Sequence, residues 1–186
     1  MKPILIDFPE SFESKRLTIR APLPGDGTEL NTAVRETFDD LKIHMPWAKE
    51  IPTVEESEAR VRRARCDFLS REDLWLLLFL KGRNTLVGSS GLHRINWDVP
   101  KFEIGYWCRK NFQRQGYITE STEAITKFAF EVLGAKRVEV RCDPQNVRSR
   151  RIPERLGFQL EGTLRNEART PSGELCDILV FAKIHP

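Results

Sequence analysis

Gln113-Arg-Gln-Gly116-Tyr-Ile-Thr119 follows a strand-like run, Glu103-Ile-Gly-Tyr-Trp-Cys108, and opens the best-defined helical stretch of the chain. A glycine at a helix start leaves backbone N–H groups uncovered. Together with the helix dipole they form a ready site for an anion, above all a pyrophosphate. The alternative is a plain turn that enters a helix. Two other phosphate loops are excluded by spacing: the chain has no GxxxxGK[ST], and no GxGxxG after its first strand. Further on, Asp143-Pro-Gln-Asn146-Val-Arg-Ser149 places a good N-cap and a serine at another helix start. The basic run Arg148, Arg150 and Arg151 beside it is either solvated charge or a contact for a phosphate.

These residues need a scaffold, and the periodicities supply one. Leu17 to Ala21 alternates as a first strand, and Pro22-Leu-Pro-Gly-Asp is a turn. Residues from about 27 to 45 read as helix, broken by Pro46-Trp47. Thr53 with Glu56 three residues on forms a capping box for a charged helix to about Ser70. Trp75 to Leu80 is a continuous apolar run, hence a buried strand. Residues 86–95 and 101–109 follow through connections too short for crossovers, so these three strands are antiparallel.

After Gly116, Ile118, Ile125, Phe128, Ala129 and Val132 share one helical face, and Gly134 ends the helix. Residues 136–142 alternate as a strand, expected parallel to 103–109 across the helical crossover. A shorter helix runs from Asn146 towards Gly157. Pro153 removes the N–H that would bond the Ser149 carbonyl, which predicts a kink or an early stop. Residues 158–169 and 175–184 form a hairpin around Pro171-Ser-Gly173. The fold class is α+β, with one mixed central sheet flanked by helices, in a single domain over 1–186.

Composition narrows the function classes. A 40% hydrophobic share suits a real core, and the net charge of +3 over 186 residues is too weak for a nucleic-acid face. It suits a small polyanion equally well. Cys66, Cys108, Cys142 and Cys176 form no CxxC pair, so no metal site is expected, and Cys108 and Cys142 sit in strands as buried thiols. The first residues carry no signal-peptide pattern, and the Leu74 to Leu80 run is too short for a bilayer. The expected setting is cytoplasmic, with no membrane and no nucleic-acid partner.

Taken together, the strand, the Gln113-x-x-Gly116-x-Ile118 loop, Asn146-x-x-Ser149 and Gly157-Phe158 resemble the GNAT acetyltransferases. His44-Met-Pro-Trp47, Val87-Gly-Ser-Ser-Gly-Leu-His93 and Leu160-Glu-Gly162 are similar to the RimJ/RimL-type branch, which acetylates protein N-termini, ribosomal proteins among them. The resemblance covers about 14–184. It implies acetyl-CoA as cosubstrate and a splayed strand that pairs with the pantetheine arm. Trp107, Cys108 and Arg109 would then offer backbone groups to pantetheine. Gln113, Arg114, Gln115, Gly116, Tyr117, Ile118 and Thr119 would cradle the phosphates. About 101–158 would be the cofactor core, and the helical segment at about 26–70 would line the acceptor side. Ile118 departs from the family's Gly or Ala. The helix pattern turns its side chain into the sheet and leaves its N–H available.

Acetyl transfer to an amine needs a neutral nucleophile, a donor for the oxyanion and a proton for the leaving thiolate. An α-amine, with a pKa of about 7.7–8.0 against about 10.4 for lysine, needs only modest help. The resemblance implies Ser149 as proton donor to sulfur, its alternative being an exposed helix-start serine. Asn146 caps the helix and is placed to bond the cofactor or a water; the two roles are compatible. Glu103, acting through water, is the favoured base and Glu167 the second choice. A backbone N–H near Trp107 or Cys108 serves the oxyanion. His93 reads as packed or surface rather than basic, Trp47 as either a substrate wall or a helix clamp, and Cys108 as no nucleophile. The expected acceptor is a protein N-terminal amine. A polyamine, an amino acid or an antibiotic is the alternative, as is a catalytically silent acyl-CoA module.

Overall fold

Apolar residues on both faces of the central strands decide the architecture. In the computed structural model, which describes residues 2–185, eight strands form one sheet in the order β1-β2-β3-β4-β5-β6-β8-β7. The strands are β1 Ser11–Glu13, β2 Leu17–Arg20, β3 Leu74–Leu80, β4 Leu86–Asn96, β5 Lys101–Cys108, β6 Arg137–Cys142, β7 Gln159–Arg169 and β8 Leu175–Ile184. The helices are α1 Gly27–His44, α2 Val54–Ser70, α3 Tyr117–Glu131 and α4 Val147–Arg155. Among these helices none is long and apolar enough to cross a membrane.

The apolar run of β3 is buried on both sides. Leu76 and Leu78 join Leu17, Leu92, Phe102, Ile104, Ile125, Phe128 and Val138 in one core beneath α3. Leu77 and Phe79 point the other way and meet Leu30, Val34, Val61 and Trp107 beneath α1 and α2. This two-sided burial explains the missing alternation. The Thr53 capping box forms in full, with Glu56 N–H donating to the Thr53 hydroxyl and Thr53 N–H to the Glu56 carboxylate.

The 86–96 and 101–108 strands are antiparallel as expected, and β5 and β6 are parallel. That parallel pairing covers only Lys101–Glu103 against Arg137–Glu139. Beyond it β5 and β6 run on unpaired, and the sheet opens into a gap. At the mouth of the gap, the β4–β5 approach demands a glycine. A Cβ on Gly88 would lie 2.2 Å from the Trp107 carbonyl oxygen. We expect Gly88→Ala to destabilise the fold by about 2–3 kcal/mol, read by denaturant unfolding.

Three local expectations are corrected. The helix from Tyr117 ends at Glu131, so Val132 is 45% exposed and Leu133, in the bend, is buried in its place. Gly134, at φ 67°, lets Ala135 N–H reach the Ala129 carbonyl and close the helix end. Pro153 does not stop α4, which runs on to Arg155. The short edge strand β1 has no counterpart in the sequence reading.

Candidate active site

Between β5 and α3 the chain makes a single 3-10 turn, Lys110–Phe112, and then a loop. Arg114 (φ 61°) and Gly116 (φ 81°) are both left-handed. The N–H groups of Arg114 to Thr119 donate to no protein group, which leaves six consecutive donors free at the start of α3. A left-handed arginine costs about 1 kcal/mol, a strain of the kind found at anion nests. Ile118 is only 8% exposed and packs in the main core, so its side chain points away from these donors.

Distant residues hold this loop. The Glu120 carboxylate accepts from Ser14 Oγ (2.6 Å), Arg16 N–H (2.7 Å) and Arg16 Nε (2.6 Å). The Arg16 guanidinium lies 4.0 Å from the centre of the Tyr117 ring and donates to the Gln115 carbonyl. Gln113 Nε2 donates to Asp40 on α1 (2.9 Å), and Arg148 reaches the Gln113 amide oxygen at 3.4 Å. Arg150 is occupied by Glu154.

Ladder parity sorts the backbone groups of β5. Arg109 N–H donates to the Val87 carbonyl at 2.7 Å. In an antiparallel ladder the hydrogen-bonded residues alternate. Gly105 and Trp107 therefore also address β4. Ile104, Tyr106 and Cys108 turn their N–H and C=O towards the gap. The Arg109 side chain turns to α1: it makes two 2.7 Å bonds to Glu36 and one of 2.8 Å to Glu29. Trp107 packs beneath α1 and lies 6.5 Å from Trp47, ring to ring. Burial pushes the Cys108 thiol up to about 12 and the Cys142 thiol up to about 11, which suppresses the thiolate of both.

Across the gap, Asn146 caps α4 by accepting Ser149 N–H at 3.1 Å. Ser149 Oγ lies 3.3 Å from the Tyr106 hydroxyl, which itself donates to the Ser149 carbonyl at 3.0 Å. A cavity of about 720 Å³ opens here, with Trp47, Trp75, His93, Glu103, Tyr106 and Ser149 in its lining. His44 lines it too, and the tip of the β7–β8 hairpin closes one side through Arg169 to Pro171.

Glu103 Oε2 is buried without a hydrogen-bond partner. The nearest cations are Arg141 Nε at 3.4 Å and Arg94 at 3.6 Å. Burial raises the Glu103 carboxyl above the ordinary range, against the pull of Arg94 and Arg141. Glu167 is 45% exposed, 3.9 Å from Arg141 and outside the cavity lining. Opposite Glu103 on β4, His93 Nδ1 is 2.7 Å from Asp73, and its ring covers Gly91 and Gly105.

A model of the acetyltransferase (GNAT) domain matches residues 16–159, a stretch that holds the loop, the gap and the Ser149 turn. The chain belongs to the GNAT acetyltransferase family, whose members use acetyl-CoA as cosubstrate. Among its relatives, YdaF of Bacillus subtilis, provisionally named a ribosomal N-acetyltransferase, is 39% identical over 82 residues, 44% of this chain and 45% of that one. The ribosomal-protein-serine acetyltransferase of Escherichia coli is 29% identical over 99 residues, 53% of this chain and 55% of that one. The matches therefore span about half the length of these relatives. RimL, a ribosomal L7/L12 alpha-N-protein acetyltransferase solved with coenzyme A, has the same fold, with a TM-score of 0.87 at 23% identity over 94% of this chain and 98% of its own.

In this GNAT domain the structure brings Ser149, Asn146, Glu103, Tyr106 and Trp107 to one cavity, whose lining does not include Gln113 to Thr119. It sets the Arg109 side chain apart, inside the α1 interface. Sequence reading missed Tyr106, Asp40, Asp73 and the Ser14–Arg16 clamp. Only Tyr106 left a signal, as the middle residue of the Gly105-Tyr-Trp run.

Proposed function

We propose that this protein moves the acetyl group of acetyl-CoA to a primary amine, the α-amino group of a protein N-terminus, by direct attack in a ternary complex. The six free N–H groups from Arg114 to Thr119 carry the first half of the reading. They fit a pyrophosphate, and the gap-facing backbone of Tyr106 and Cys108 fits the amide-bearing arm that follows it. Gln113 and Gln115 order the loop through Asp40 and Asn111. Asn146 fixes the turn that presents Ser149. The names of the two relatives support the N-terminal acceptor.

The amine nitrogen attacks the thioester carbonyl, and a gap-facing N–H of β5 takes the oxyanion. Glu103, through water, accepts the proton the amine gives up. The C–S bond breaks, and the thiolate takes a proton from Ser149, which cavity water restores. Glu103 is suited to this because its raised pKa makes it a better base, and its Oε2 accepts no hydrogen bond although Arg141 and Arg94 lie 3.4 and 3.6 Å away.

The test is thiol release with acetyl-CoA and a panel of acceptor peptides, against polyamines and amino acids at equal concentration. Peptide turnover is expected; turnover only with small amines, or binding without turnover, overturns the reading. Ser149→Ala should lower kcat by about 10–100-fold with acetyl-CoA affinity intact. A free thiol titrates at about 8.5, so the thiolate leaves unaided above that pH. The Ser149→Ala deficit should therefore shrink as the pH rises past about 8.5.

A further inference from the structure

Pro153 read as a flaw in the sequence, yet α4 accommodates it. In a helix the carbonyl of residue 149 would take the N–H of residue 153, and proline has none. The Ser149 carbonyl is thus left without its helical donor at the cavity wall. The Tyr106 hydroxyl fills that vacancy at 3.0 Å. Its only proton is then committed, so its oxygen can accept and not donate towards Ser149 Oγ, 3.3 Å away. Both ends of the bridge belong to one residue, the serine that presents the hydroxyl.

We infer that Tyr106 is a positioning residue that acts through Ser149, and that Pro153 keeps open the carbonyl on which Tyr106 anchors. Tyr106 has a second attachment: its own backbone groups face the gap between β5 and β6. One rigid ring therefore sets the distance between the strand that follows the acyl arm and the hydroxyl that serves the sulfur. Burial holds the Tyr106 hydroxyl protonated well above its ordinary titration, so the bridge persists across the working range. Tyr106 neither gives nor takes a proton in the reaction. Through the carbonyl bond it holds the first turn of α4 against β5 and so places Ser149 Oγ; the serine's one proton, which faces Tyr106 across 3.3 Å here, turns to the thiolate in the reaction.

The inference rests on the role proposed for Ser149, and the experiment separates the two. Tyr106→Phe, Ser149→Ala, the double variant and Pro153→Ala are compared for kcat, acetyl-CoA KM and melting temperature. Tyr106→Phe should lower kcat about tenfold with the acetyl-CoA KM unchanged, and should lose nothing further in the Ser149→Ala background. Pro153→Ala restores a competing N–H and should lower kcat by a smaller factor while α4 gains stability. If Ser149→Ala is impaired and Tyr106→Phe has wild-type kcat, the inference fails. The same holds if the Tyr106→Phe loss is undiminished in the double variant, or appears only in KM. If Ser149→Ala itself turns over normally, the role given to Ser149 fails first, and the positioning role falls with it.

Discussion

Glu103→Gln is expected to lower kcat/KM for a peptide acceptor by about 10²-fold or more, with acetyl-CoA binding unchanged. The substitution keeps the shape and removes only the basic oxygen. Glu103 is poised for this because burial raises its carboxyl against the pull of Arg94 and Arg141, and Oε2 accepts no hydrogen bond. In the wild type, kcat/KM should rise with pH along two limbs. The lower belongs to Glu103 and lies above the ordinary glutamate value of about 4.3; the upper belongs to the acceptor amine at about 7.7–8.0. The Gln variant should keep the upper limb and lose the lower one. A wild-type profile in Glu103→Gln would remove the base assignment.

Stability provides an independent check on the same variant. A carboxyl whose folded pKa is raised holds its proton more tightly in the folded state. Its contribution is fully present below the unfolded value and is lost as pH rises through the folded one. At neutral pH the ionised Glu103 is therefore a cost, and glutamine, which mimics the protonated acid, removes it. Glu103→Gln should melt no lower than the wild type at pH 7, whereas a residue retained for structure would show the opposite. The lost activity could not then be ascribed to unfolding.

What could be read from the chain follows from the range of the forces involved. The Thr53–Glu56 box, the alternation of 137–142 and the short β4–β5 link are local, and each was legible. Pro153 and Val132 misled because their outcome depends on tertiary partners. The one was expected to break α4, yet Tyr106 on β5 occupies the carbonyl it frees; the other lost its face when the helix closed at Glu131. The clamp of Arg16 on Glu120 joins positions separated by 104 residues, and no spacing rule reaches that far. Strand parity is subtler. The sequence put Trp107, Cys108 and Arg109 on one strand, but the single bond from Arg109 to Val87 decides which of them face the gap.

Arg109 is where that parity has the largest energetic consequence. Arg109→Met should cost about 2–3 kcal/mol, or about 5–10 °C in melting temperature, while the folded fraction retains acetyl-CoA affinity. The guanidinium is 10% exposed and bridges Glu29 and Glu36, which are 24% and 34% exposed. Methionine fills the space but takes the charged donor from both carboxylates and from the Leu86 carbonyl; Glu29 keeps only the Leu86 N–H, at 2.9 Å. The half-exposed glutamates recover some water, which places the effect at the low end for a broken buried pair. The hydrogen bond from Arg109 holds the Glu36 carboxyl below its usual range. A depressed carboxyl contributes stability above its unfolded pKa and loses it as pH falls through the folded one. The gap between wild type and Arg109→Met should accordingly narrow as the pH drops below about 4.3, where the stranded carboxylates take up protons. A gap that stays constant with pH would mean that lost packing, rather than the lost ion pairs to Glu29 and Glu36, sets the cost. A loss of acetyl-CoA affinity at full stability would instead return Arg109 to the cofactor.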